Sequence, residues 1–220
     1  MRHLPETKAL PYNDFGTWLH SRFKYKVQKI SVDAGFTCPN RDGRIGRGGC
    51  TFCDNTTFNP SYCNKNSSIR EQLETGKKFF ARKYPEMKYL AYFQAYTNTY
   101  APLDTLKRMY EEALGTENTI GIVIGTRPDC VNKDLLDYLG SLSQQVFVSV
   151  EYGIESTNDT TLKNINRGHS FSCSRRAIAE TASRGITVGG HVILGLPGEN
   201  MPESLRQASI ISSTELDILK

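Results

Sequence analysis

Short apolar runs alternate with amphipathic helical stripes along most of this chain, and that alternation restricts the fold more than any other feature. Lys29 to Asp33 reads as an alternating strand, Ser67 to Lys83 as a helix ended by Pro85, and Tyr89 to Gln94 as a strand. Pro102 opens a further helix at the favoured first-turn position. Leu103, Leu106, Tyr110, Ala113 and Leu114 form its stripe, and Gly115 stops it. Ile120 to Ile124 and Val146 to Val150 read as buried strands, with a short helix from Lys133 to Leu142 between them. A helix from Ser172 to Arg184, ended by Gly185, precedes the strand Thr187 to Leu194. The apolar run Leu216 to Lys220 looks like the opening of a sixth strand. Strands spaced by helices, with near-continuous apolar character, imply an α/β fold with a parallel sheet under helices.

A chain of 220 residues, 38% hydrophobic, can bury one good core. No run approaches the roughly 18 apolar residues a membrane span needs. The start Met1-Arg2-His3-Leu4-Pro5-Glu6 has no apolar leader region, so a cytoplasmic location without a membrane partner is expected. The net charge of +4 permits a polyanionic partner without requiring one.

Three cysteines, Cys38, Cys50 and Cys53, share one Gly-rich stretch shortly after the first strand. Three thiolates from one loop can hold three irons of a cubane 4Fe–4S cluster and leave the fourth iron open to a cofactor or substrate. With Cys63 as a fourth ligand, the same residues can close an all-cysteine zinc site. The spacing alone leaves both readings open. Cys130 and Cys173 stand apart and read as ordinary thiols.

The polar and Gly-rich segments follow the strands: the cysteine loop, Tyr96 to Thr99, Gly125 to Arg127, Gly153 to Glu155, and Gly195 to Gly198. In parallel α/β folds such loops, at the carboxyl ends of the strands, hold the active site. A zinc ribbon explains none of the four loops beyond the cysteine one.

At these residues the chain resembles the radical S-adenosylmethionine (SAM) enzymes, and within them a YtqA/YhcC-like branch related to the catalytic Elongator subunit. The resemblance rests on the Cys38, Cys50, Cys53 loop with Phe52 inside the last pair, and on Phe93 to Tyr100. It extends to Glu151 to Ser156, Asn166 to Ser170, and His191 to Glu199. It implies a partial (β/α)6 TIM-like barrel ending at the start of the sixth strand, with residues 1–25 as an N-terminal extension and 26–220 as the core domain. It further implies a 4Fe–4S cluster on Cys38, Cys50 and Cys53, and SAM on its open iron. Reductive cleavage of SAM then gives methionine and a 5′-deoxyadenosyl radical that abstracts a hydrogen atom.

By the same resemblance Glu155 meets the SAM ribose hydroxyls and Arg167 pairs with the SAM carboxylate. Taken alone, these residues read as a solvated strand-end charge and a surface arginine. Phe52, Tyr96, Thr97 and Leu194 fall on segments that run past the cofactor. Ala95-Tyr96-Thr97 replaces the Gly-Gly-Glu of many relatives, so backbone contacts are expected there. His191 reads equally as a ligand contact and as a satisfied core histidine. No catalytic side chain is assigned.

Arg41, Arg44 and Arg47 lie within the cysteine insert, with Lys24, Lys26 and Lys29 before it and Lys77, Lys78, Arg82 and Lys83 on one helix. Interleaved with Tyr12, Trp18, Phe23 and Tyr25, they suit a nucleic-acid backbone and stacked bases. They also read as solvated charge and aromatic packing. The resemblance implies tRNA as partner, with a wobble-uridine carboxymethylaminomethyl group trimmed to aminomethyl. An electron donor such as flavodoxin or ferredoxin is also implied. A peptide or small metabolite is the alternative substrate, and a zinc-binding interaction module the alternative class.

Overall fold

The computed structural model describes residues 12–54, 59–81 and 86–220. Six strands form one parallel sheet in chain order: β1 (Val27–Val32), β2 (Lys88–Phe93), β3 (Thr119–Thr126), β4 (Phe147–Glu155), β5 (Thr187–Val192) and β6 (Ile218–Leu219). Every neighbouring pair is parallel, and β1 and β6 remain as open edges. The architecture is an unclosed (β/α)6 barrel. The helices are α1 (Phe15–Arg22), α2 (Ile69–Ala81), α3 (Leu103–Leu114), α4 (Lys133–Ser143), α5 (Asp159–Asn164), α6 (Phe171–Ala182) and α7 (Met201–Ile211).

Strand alternation sorts the side chains into two sets. Ile30, Val32, Ala91, Phe93, Ile122, Ile124, Val148, Val150, Tyr152, Ile154 and Val188 join Leu73, Leu106, Tyr110, Leu136, Leu139 and Ile178 from α2, α3, α4 and α6 in the main core. The residues between them on the strands face the interior. There Leu90 and Val123 pack with Leu19 of α1, joined by Phe15, Trp18, Phe23 and Phe147.

Local chemistry sets the helix starts. Asn132 caps α4 by accepting from the Leu135 N–H at 3.0 Å, and Asn200 caps α7 by accepting from Glu203 N–H at 3.1 Å. Pro102 occupies the cap of α3 rather than its first helical position.

Three differences from the sequence reading matter. β4 runs on to Glu155, beyond Val150, because Tyr152 and Ile154 continue the helix-facing set while Glu151 and Gly153 turn inward. α1, α5 and α7 were not anticipated, and α5 is too short to show a stripe. Trp18 and Phe23 are not open stacking platforms. They pack edge-on against Phe147 at centroid distances of 6.1 and 5.7 Å, at the amino-terminal end of β4. Pro85, Arg82 and Lys83, assigned to the end of the second helix, lie outside the described residues.

Candidate active site

The cysteine loop and the carboxyl ends of β2 to β5 meet around a cavity of ≈ 420 Å³. Its wall carries Cys38, Cys50, Phe52 and Cys53 from the loop, Gln94 to Thr97 after β2, and Thr126 and Arg127 after β3. Gly153 and Glu155 of β4, Arg167, and His191 to Ile193 complete it, with Lys220 beside them.

The cysteine loop is fastened to the segment after α5. Thr51 N–H donates to Ile165 O at 3.0 Å, and Asn166 Nδ2 donates to Gly49 O at 2.8 Å. The buried Asn40 Nδ2 reaches Asn166 O at 2.5 Å and Cys50 Sγ at 3.5 Å. Gly49 adopts φ +85°, and a Cβ there would lie 3.0 Å from the Arg41 guanidinium. Arg41 Nη1 in turn lies 3.8 Å from Cys53 Sγ. Burial pushes the Cys53 thiol upward, with Arg41 opposing. A side-chain N–H group thus faces each of two of the three sulfurs.

Cys63 does not join them. Its Sγ donates to Ser31 O at 3.1 Å, and burial with the Asp33 charge pushes its pKa up to about 12. Among the described residues no three His, Cys, Asp or Glu side chains gather around a single-ion position. The four-cysteine zinc set is therefore not assembled.

Glu155 and Arg167 are buried rather than solvated, at 8% and 6% exposure. Their charged groups lie 3.5 Å apart. Arg167 Nη2 donates to Gly153 O at 2.6 Å, while Nη1 lies 3.6 Å from Cys50 Sγ and Nε has no partner. Burial pushes the Glu155 carboxyl upward against the pull of Arg167. Glu155 and Tyr96 hold left-handed backbone, φ 66° and 60°, both at strand ends on the cavity wall. Leu194 is 69% exposed and off the wall, where Ile193 stands instead. His191 reaches inward, its Nε2 3.0 Å from Glu151 Oε2.

Two functional-looking residues were missed. Glu151 lies in the interior at the cavity wall and accepts from Lys29, His191 and Lys220. An acid flanked by apolar Val150 and Tyr152 within a strand was the available signal. Arg127 is 2% exposed, pairs with Asp129 at 2.8 Å, and keeps a buried, unpartnered Nη1. Of the basic residues singled out, Lys29 points into the barrel and Lys77 is buried between α2 and the sheet. Lys77 is held by Glu74 at 2.9 Å and the Glu117 carbonyl. Lys24 and Lys26 precede β1, at the far end of the strands from the cavity. Arg41, Arg44 and Arg47 are exposed on the cysteine loop.

Residues 40–206 match the family model described as the Radical SAM superfamily. Protein YhcC of Escherichia coli (strain K12) is 43% identical over 209 residues, covering 94% of this chain and 66% of YhcC. YtqA of Bacillus subtilis (strain 168) is 35% identical over 209 residues, covering 95% and 65%. The chain thus spans just under two-thirds of these relatives. Among solved structures, the archaeal Methanocaldococcus infernus Elp3 with an N-terminal deletion superposes at TM-score 0.60 and 17% identity, over 89% of this chain and 45% of that one. Coproporphyrinogen III oxidase (HemN) from Escherichia coli does so at 0.56 and 15%, over 92% and 46%. The fold is shared, and with the family match over most of its length the chain belongs to the radical SAM superfamily, whose cofactors are a 4Fe–4S cluster and SAM.

Proposed function

We propose that Cys38, Cys50 and Cys53 are the protein ligands of the cluster, and that Glu155 and Arg167 hold SAM beside it. One observation carries this reading: Arg167 stands between the two groups, 3.6 Å from Cys50 Sγ and 3.5 Å from Glu155. The donor set fits a cluster, because three thiols spread around a cavity suit a core several atoms across better than a single ion. The cavity volume falls within the range of cofactor sites, and the unpartnered N–H groups of Arg167 and Arg127 suit an anionic group. When bound, the cofactors supply the electron transfer that cleaves SAM and the radical that abstracts hydrogen. The chain's own residues hold, orient and shield them. Phe52, Tyr96, Thr97 and His191 line the same cavity, whereas Leu194 lies off its wall. An electron donor of the flavodoxin or ferredoxin kind is required from outside.

The substrate in this reading is a tRNA wobble uridine, whose carboxymethylaminomethyl group is trimmed to aminomethyl. Support comes from the exposed Arg41, Arg44 and Arg47 of the cysteine loop, of which Arg41 lines the cavity, and from the resemblance drawn from the sequence. Arg41 and Arg44 also lie over the rings of Tyr96 and Tyr100, at 5.7 and 5.6 Å. Phosphate contacts release counterions, so tRNA binding to the full-length protein should weaken with salt by about 0.7–0.9 in log–log slope per contact. Replacing all three arginines by Gln should lower that slope by roughly two to three units. Absence of tRNA binding at low salt would transfer the reading to a peptide or metabolite substrate.

A further inference from the structure

We infer that the floor of the cavity is a carboxylate-binding subsite for the substrate, built from Lys220, Lys29 and His191 around Glu151. The inference rests on the reading of this cavity as a radical SAM site that admits a substrate. Glu151 is 1% exposed and sits in the barrel interior. Lys29 Nζ lies 2.7 Å from its Oε1, Lys220 Nζ 2.8 and 2.6 Å from its two oxygens, and His191 Nε2 3.0 Å from Oε2. Two ammonium groups therefore share one carboxylate. Whatever the state of His191, the group carries at least one uncompensated positive charge.

Ring faces offset part of that charge. Lys29 lies 4.2 Å from the Phe15 ring centroid and 4.9 Å from that of Tyr92, and Lys220 lies 5.2 Å from Tyr92 and 5.9 Å from Phe15. A ring does not neutralise an ammonium, and a buried surplus charge is costly until an anion meets it. Burial and the Lys220 charge push Lys29 down to about 8 despite Glu151, which fits such a surplus.

Position favours a ligand over a purely structural role. Tyr92, Glu151, His191 and Lys220 all lie on the cavity wall. The side chain of His191 remains 36% exposed at this wall. An ammonium has three donors, and Glu151 engages two contacts of Lys220, so one N–H is left for an incoming group. Glu151 precedes Glu155 by four residues along β4, so the floor lies deeper in the barrel than the proposed SAM contacts, with His191 at the boundary between the two. One extra positive charge, the least the group carries, matches one carboxylate.

The probes are N-acetylglycine and N-acetylglycinamide, which differ in one negative charge. Both are titrated by ligand-detected NMR against the full-length, cluster-loaded protein with saturating SAM. N-acetylglycine should bind saturably and the amide about tenfold or more weakly, since one charge-assisted hydrogen bond commands that factor. Lys220→Gln should abolish the preference and Lys220→Arg should keep it, with an unchanged cluster spectrum certifying the fold of both. Equal binding of the two probes, or a preference that survives Lys220→Gln, overturns the inference. Binding of N-acetylglycine only when SAM is left out also overturns it, because the floor would then belong to the SAM site. Failure of the tRNA reading is scored separately, by tRNA binding, and leaves this result interpretable.

Discussion

Glu155 combines left-handed backbone, near-complete burial and a guanidinium at 3.5 Å, a costly arrangement for a side chain with only a structural purpose. Replacing Glu155 or Arg167 by Ala should weaken SAM binding by roughly one to two decades. SAM affinity measured by equilibrium dialysis checks this, and wild-type affinity in both variants would reject their assignment. Arg167→Ala carries a second signature. It leaves Glu155 buried without its cation, so the carboxyl, already raised by burial, should rise further. Infrared titration of the carboxyl band reads that shift directly. The sequence named this pair through its motifs but gave no hint of its burial. Glu151 escaped for a related reason: one acid inside an apolar strand carries no periodic signal, and its partners come from β1, β5 and the residue after β6. Contacts across such separations are set by topology, not by neighbouring residues.

At the scale of elements, the parallel pairing is tight where glycine replaces a side chain. A Cβ built on Gly121 of β3 would lie 2.2 Å from the Phe147 carbonyl oxygen and 2.7 Å from the Phe147 Cβ. The obstacle is backbone, so it cannot swing aside. Gly121→Ala should therefore destabilise the fold by about 1–3 kcal/mol, the usual range for overpacking. A lowered urea midpoint in far-UV circular dichroism checks this, and an unchanged midpoint would mean that β3 and β4 pair less closely than described. Most elements were legible because apolar runs and turn residues agree locally: β2, β3, α3 and α4 fall within a few residues of the sequence reading. α1 was not, since its aromatic residues read equally as exposed rings. Only the interior face formed by Leu90, Val123 and Phe147 decides that they pack inward.

For the whole molecule, strand order places function. Four strand ends, those of β2 to β5, and the cysteine loop gather the proposed cofactor residues at one end of the sheet, while α1 packs on its interior face near the other. The βα alternation made that end predictable before any contact was known. The basic surface was less legible, because charge alone does not tell a rim lysine from one packed inside the fold. Lys29 and Lys77 are the cases in point. The central claim is a radical SAM site whose cluster rests on three cysteines and not on Cys63. Anaerobic reconstitution with iron and sulfide, followed by counting both and assaying 5′-deoxyadenosine release under reducing conditions, tests it directly on the wild type, Cys53→Ala and Cys63→Ala. The account predicts about four irons and SAM cleavage for the wild type and Cys63→Ala, and loss of both for Cys53→Ala. Loss of the cluster in Cys63→Ala, or a full cluster in Cys53→Ala, would contradict it.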